Sequence, residues 1–214
     1  MNTKRMMLCV AAVLVVLLLL NVSHGEIILD TASGAPHSAG LYLEDDYWAF
    51  HRFELTNPTN IESVGGYFYR RFEVYPDSVF SAVIELSGPS DDPDSMYLTT
   101  PDVLATGLVP LDVDRGAYFG NLSLSLPPGW YGLAFGTGAF GAPSGGKVFM
   151  PYLSEDLDPA QSMIGISHYY SSYTIYSQPF RFFVSTDPVP EPSTLFLLAA
   201  GALGLLAYRG RRKA

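Results

Sequence analysis

An all-β fold follows from three observations. The chain is rich in aromatics, with 14 Tyr and 13 Phe in 214 residues, and its 20 Gly and 16 Pro recur as turn punctuation. No stretch between residues 26 and 188 sustains apolar spacing at i, i+3, i+4 and i+7. Several short runs alternate apolar and polar residues instead, as half-buried antiparallel strands do. Seven to nine strands at this spacing predict one antiparallel β-sandwich, jelly-roll-like, over residues 26–187.

The strands can be taken in order. Residues 48 to 55 and 61 to 74 are aromatic and β-branched, and Asn57-Pro58 divides them. Phe80, Ala82, Ile84 and Leu86 share one face against Ser81, Val83 and Glu85. Gly88-Pro89 and Asp92-Pro93 then open a loop. Tyr118, Leu122, Leu124 and Leu126 oppose Asn121, Ser123 and Ser125, and Pro127-Pro128-Gly129 turns the chain into a strand at 130 to 135. Further strands are expected at 147 to 152, 172 to 177 and 180 to 184. About 160 residues suffice for one domain with its own core.

Both ends have a different character. Lys4 and Arg5 precede an apolar run from residue 8 to 20, and Ser23 and Gly25 suit signal peptidase cleavage before Glu26. Residues 1–25 therefore read as a signal peptide helix; a retained N-terminal anchor is the competing reading. Cys9 lies inside the apolar run, which argues against lipidation. At the other end, prolines at 188, 190 and 192 block a helix upstream of the apolar run 195 to 208. Arg209, Arg211, Arg212 and Lys213 close that run as a basic stop. Fourteen apolar residues are short against the ~20 of a stable span, so a transient or strained transmembrane helix is expected.

Pro190-Glu191-Pro192, the apolar run and the Arg-rich tail together resemble the PEP-CTERM sorting signal of Gram-negative bacteria that make exopolysaccharide. The resemblance implies that exosortase, a membrane-embedded transpeptidase, recognises the tripeptide and removes the tail, so that residues 188–214 are the sorting signal. It further implies an inner-membrane-anchored precursor and a mature form at the cell surface or outside the cell. An ordinary C-terminal anchor on a proline-rich stalk is the alternative. The order of the strand containing Phe53, the strand 80 to 86, the segment 96 to 104 and the run 126 to 133 is also similar to β-sandwich ectodomains found upstream of this signal.

Charge excludes one class of partner. All 21 acidic residues lie between Glu26 and Glu191, whereas six of the 12 basic residues sit in the two terminal segments. The exported part thus carries 21 acids against six bases, close to −15, and lacks the basic stripe that nucleic acid requires. Cys9 is the only cysteine and leaves with the signal peptide, so no disulfide staples the mature domain.

Two glycine motifs fail on context. Gly136-Thr137-Gly138-Ala139-Phe140-Gly141 fits the dinucleotide pattern, but Pro143, Gly145 and Gly146 follow where a helix must open. Gly141 to Lys147 approximates a P-loop, with Val148 where the magnesium-binding hydroxyl belongs. Residues 136 to 146 are expected to be a flexible loop. Of the four histidines, His24 departs with the signal peptide and His37 lies in a small-residue stretch, leaving His51 and His168 in strand-like regions. No G-x-S-x-G elbow or H-E-x-x-H pair is present, so the domain is expected not to be an enzyme.

Binding is the stronger expectation. Glu44-Asp45-Asp46, Asp91-Asp92-Asp94 and Glu155-Asp156-Asp158 offer oxygens suited to calcium, although none has the EF-hand spacing or its glycine and solvated loop charge is the commoner origin of such clusters. Asp91, Asp92 and Asp94 are the candidate metal residues. In the segment 168 to 176, Tyr169, Tyr170, Tyr173 and Tyr176 are candidate carbohydrate-stacking residues, against the alternative that they are core or cross-strand partners. The expectation is an exported structural or exopolysaccharide-associated domain, processed by signal peptidase and exosortase; a carbohydrate-active enzyme or calcium-dependent lectin with the same tail is the alternative.

Overall fold

The computed structural model describes residues 26–70, 76–112, 114–156, 163–167, 172–176 and 178–186. The expected signal helix, the membrane helix and the sorting residues all lie outside them. Among the described residues no helix is long and apolar enough to cross a membrane.

Twelve strands are described, more than the seven to nine expected: β1 Ile27–Asp30, β2 Ala32–Leu43, β3 Tyr47–Leu55, β4 Thr59–Tyr69, β5 Ser78–Leu86, β6 Val103–Pro110, β7 Arg115–Leu126, β8 Gly129–Gly136, β9 Val148–Asp156, β10 Met163–Ser167, β11 Ser172–Tyr176 and β12 Phe182–Ser185. They form two six-stranded antiparallel sheets. The first is ordered β1-β12-β4-β9-β2, with β7 on the other edge of β4; the second is β11-β10-β3-β8-β5-β6.

The first sheet is built around a splice. β12 and β9 pair successive stretches of β4, through Ser63–Gly66 and then Tyr69. β1 and β2 pair β12 and β9 in turn, so they continue one another across Thr31. Thr31 is buried; its hydroxyl donates to Phe180 O at 2.5 Å and accepts from Phe182 N at 2.9 Å, satisfying backbone groups where the ladder changes partner.

The core between the sheets follows from alternation. Ala49, Phe53 and Leu55 of β3 and Leu133 and Phe135 of β8 meet Phe68, Phe182 and Val184 of the first sheet. Phe135 packs edge-on against Phe68 at 5.2 Å and stacks on Phe182 at 5.5 Å. In β4 the inward set changes parity, from Ile61 to Val64 and Phe68, because the ladder with β7 shifts register between Ile61 and Ser63. Tyr131 enters this core and donates its hydroxyl to Pro127 O at 2.8 Å, which fixes the β7–β8 turn. At one side of the molecule β6 and β7 approach closely: a Cβ on Gly120 would lie 2.3 Å from Leu108 O. Glycine is required there because main chain meets main chain.

The second sheet departs from the half-buried expectation. Phe80, Ala82, Ile84 and Leu86 do share a face, but Val79 and Val83 opposite them are equally buried. The first set joins Trp48, Phe50, Ala134, Ile164 and Ile166 in a separate cluster on the outer face, roofed by Met96 and Leu98 from the β5–β6 loop and Ala139 and Ala142 from the β8–β9 loop. β7 keeps its expected alternation, with Leu122 and Leu126 buried and Leu124 half-buried.

Candidate functional site

The turn between β2 and β3 carries a shallow cleft of about 450 Å³, lined by Gly40, Leu41, Tyr42, Glu44, Asp46, Tyr47 and Ser167. β2 and β3 belong to different sheets, and the short turn that joins them leaves its side chains around this hollow. Tyr42 packs against Phe149 at 5.0 Å and lies 6.0 Å from Lys147 Nζ, which keeps its half-buried ring in place. Lys147 also pairs with Glu44 at 2.6 Å. Tyr47 exchanges backbone hydrogen bonds with Glu44, at 2.9 and 3.2 Å, closing the turn. Asp46 is exposed beside it. The cleft thus lies between half-buried Tyr42 and Tyr47, the latter also packing against the inter-sheet core, with buried Ser167 and the acidic residues Glu44 and Asp46 in its lining.

Asp45, the middle acid of that cluster, points the other way. It accepts from Thr137 Oγ1 at 3.0 Å and Gly145 N at 2.9 Å. Gly138 has φ +74° and passes so close that a Cβ there would lie 2.7 Å from the Asp45 carboxylate. Gly138 N also donates to Pro143 O at 3.1 Å, Ala142 N to Ala139 O at 2.9 Å, and Phe140 packs edge-on against Phe80 at 5.2 Å. The glycine-rich segment is therefore a pinned cover of the outer cluster, a correction to the flexible loop expected from its composition.

The candidate calcium residues also serve internal ties. Asp91 accepts from Ser87 N and Ser87 Oγ, both at 2.7 Å, and these bonds hold its carboxyl below the usual carboxylate range. Asp92 pairs with Arg52 Nη2 at 2.5 Å, while Arg52 Nε donates to Asp91 O at 2.5 Å. Asp94 contributes its backbone N–H, at 2.9 Å from Asp102 Oδ2. Among the described residues no group of three or more His, Cys, Asp or Glu is arranged to hold a metal ion. Glu155 accepts from Ser33 Oγ at 2.7 Å, and Asp158 lies outside the described residues.

Of the candidate stacking tyrosines, Tyr169 and Tyr170 lie outside the described residues, as does His168. The Tyr176 backbone pairs with Met163 at the end of the β10–β11 ladder. Tyr173 packs on the outer cluster and donates its hydroxyl to Pro93 O at 3.1 Å. Burial, and then the carboxylates of Asp92, Asp102 and Asp94, push its phenol up. Its ring therefore serves as a packing and anchoring group, the cross-strand alternative to stacking on sugar.

His51 is buried in the inter-sheet core, stacked on Phe182 at 5.2 Å, with Nε2 enclosed and unpartnered. Burial, and secondarily Arg52, lower its pKa from 6.5 to about 4. The ring is neutral at ordinary pH and closed off from any substrate. His37 is exposed on β2, a strand hidden in the sequence by Gly34, Pro36 and Gly40. Tyr42 and Tyr47 were also missed, although two tyrosines flanking Leu43 to Asp46 are a visible signal of an aromatic rim around an acidic turn.

No curated protein matches the chain. The family model of the PEP-CTERM protein-sorting motif matches residues 188–213. That span contains Pro190, Glu191 and Pro192 and the basic residues Arg209, Arg211, Arg212 and Lys213. The chain therefore carries a PEP-CTERM sorting signal and is an exported protein sorted through exosortase.

Proposed function

We propose that the exported domain is a non-enzymatic, polysaccharide-associated binding domain of the cell surface or extracellular matrix, presented first on a membrane-held precursor and then freed of its tail. The observation that carries this reading is the cleft at the β2–β3 turn, where Tyr42 and Tyr47 stand beside Ser167, Glu44 and Asp46. Rings supply stacking faces and the oxygens accept from sugar hydroxyls, a combination that binds neutral or amino-bearing polymers better than anionic ones on so acidic a surface. The enclosure of His51 keeps this histidine out of the cleft and away from any ligand there.

The test is affinity for the host's own exopolysaccharide, measured on the mature protein whose C-terminal mass has been determined. Tyr47→Ala and Tyr42→Ala should each weaken binding at least tenfold while the domain stays folded, with some fall in melting temperature because Tyr47 packs against the inter-sheet core and Tyr42 against Phe149. Unaltered affinity in both variants would remove the cleft as the binding site. Mature protein that retained Arg211 and Lys213 would contradict the processing step.

A further inference from the structure

Alternation sorts the first sheet into two faces. Leu41 and Leu43 of β2, Val148 and Met150 of β9 and Phe68 of β4 enter the inter-sheet core. Tyr42, Phe149 and Tyr69, each one residue away, therefore point to the opposite face. Register places these three side chains and a fourth on one rung: Tyr42 pairs with Phe149, Phe149 with Tyr69, and Tyr69 with Arg115. Adjacent strands β2, β9, β4 and β7 supply one residue each. At about 4.8 Å per strand, the rung runs about 14 Å across the sheet.

Packing fixes this rung. A Cβ on Gly40 would lie 2.7 Å from Phe149 Cζ, so the Phe149 ring lies down over that glycine and is buried there as a floor. Half-buried Tyr42 packs against it at 5.0 Å. On the other side, half-buried Tyr69 carries the Arg115 guanidinium 4.8 Å from its ring centroid. Stacking positions the guanidinium without consuming its N–H donors. Arg115 is exposed, and no carboxylate or carbonyl among the described residues accepts from it, whereas Arg52, Lys147 and Arg181 each pair with an acid. A fork of donors held in place yet open to water is available to a ligand.

Tyr42 is also a wall of the cleft. The rung therefore begins where the cleft ends, and rings and donors continue beyond it in a line. We infer that a glycan chain does not stop at the cleft: it leaves over Tyr42 and crosses the first sheet along Phe149 and Tyr69 to Arg115, whose guanidinium donates to sugar hydroxyl oxygens. This rests on the reading of the cleft as a polysaccharide site and adds the length of polymer that the site reads. The ligand class is an extended, uncharged chain several sugars long, not a single sugar. One unpaired guanidinium suits hydroxyls but does not reverse the charge of a domain near −15, so a polyanion is disfavoured.

Fragments of the host's own exopolysaccharide, graded by length after partial hydrolysis, are the probe, titrated against the mature protein. Affinity of the native protein should rise with fragment length and then level off. Arg115→Ala should weaken the longest fragments roughly tenfold, the scale of one or two hydrogen bonds, and leave the shortest binding fragments unchanged. Tyr69→Leu, which keeps an apolar side chain beside Phe149, should give the same selective loss. Asn121→Ala, exposed on the same strand about 20 Å along it, should change neither. Tyr47→Ala should weaken long and short fragments alike, because both fill the cleft. One affinity for every length, an Arg115→Ala loss no greater for long fragments than for short, or an equal loss in Asn121→Ala would overturn the path. Selective loss in Arg115→Ala with none in Tyr47→Ala would remove the cleft and leave the sheet face as the site.

Discussion

The two faces of the β11-β10-β3-β8-β5-β6 sheet are both buried, by different means. Its inner face meets another sheet, and large rings interlock there: Phe135 with Phe68 and Phe182 across the gap, and Phe53 with its cross-strand neighbour Tyr131 at 5.9 Å. Its outer face is covered by loops held at a few polar points: Arg52 to Asp91 and Asp92, Tyr173 to Pro93 O, and Asp45 to Thr137 and Gly145. A sheet-covered face distributes its stability over many apolar contacts, whereas a loop-covered face depends on anchors to bring the apolar roof into place. The same apolar surface is thus buried cooperatively on one side and conditionally on the other.

The largest effects should come from the inner face. Phe135→Ala removes a fully buried ring and should cost ~3–5 kcal/mol, read as a lower denaturant midpoint. Ile84→Ala, fully buried beneath the loops, should cost ~2–5 kcal/mol, toward the lower end if the roof settles into the gap. Leu124→Ala on half-buried β7 should fall below both. If Ile84→Ala equals Phe135→Ala while Leu124→Ala is also as severe, the distinction between the faces collapses.

His51 adds a pH signature to the inner face. Its folded pKa of about 4 lies below the 6.5 of an unfolded histidine, so the folded protein binds fewer protons in that interval. The stability contributed by the neutral ring is complete above about pH 7, falls as pH drops through 6.5, and is lost by pH 4. The size is about 3 kcal/mol, from 1.36 kcal/mol per pKa unit. Carboxylates such as Asp91 add their own acid sensitivity at lower pH, so the measurement is the difference between the native protein and His51→Leu. A difference that does not change between pH 7.5 and 4.5 would show that the histidine is not confined to the dry inner face.

Legibility in the sequence divides along the same line. β3, β5, β7 and β8 were visible because Trp48 to Leu55, Phe80 to Leu86, Leu122 to Leu126 and Trp130 to Phe135 carry their own apolar pattern. β2 was not, because Gly34, Pro36 and Gly40 read as loop and its pairing is supplied by β9, with register shifts at those residues. β6 hides behind Ala105, Thr106 and Gly107, where glycine serves the approach of the two sheets. The acidic turn at 44 to 46 is visible by its charge, but that Asp45 reaches to Thr137 and Gly145 while Glu44 and Asp46 line a cleft depends on which sheet each flanking strand joins. Long-range polar anchoring leaves no local pattern.

The smallest effect tests an anchor of the outer cover. Asp45→Ala removes the acceptor of Thr137 Oγ1 and Gly145 N. The lost hydrogen bonds should cost about 1–2 kcal/mol, less than a core truncation because the turn is open to water, which can replace the carboxylate. Its local consequence should be larger than its global one. Without Asp45 the loop 137–147 loses its tie to the β2–β3 turn, so amide exchange should accelerate at Thr137, Ala139 and Ala142 while Phe68 and Phe182 in the inner core stay protected. Asp45→Asn, which keeps an acceptor oxygen, should recover part of the protection. If Asp45→Ala speeds exchange equally on both sides of the sheet, the loop roof and the inter-sheet core open as one unit, and the outer cover is no less cooperative than the inner one.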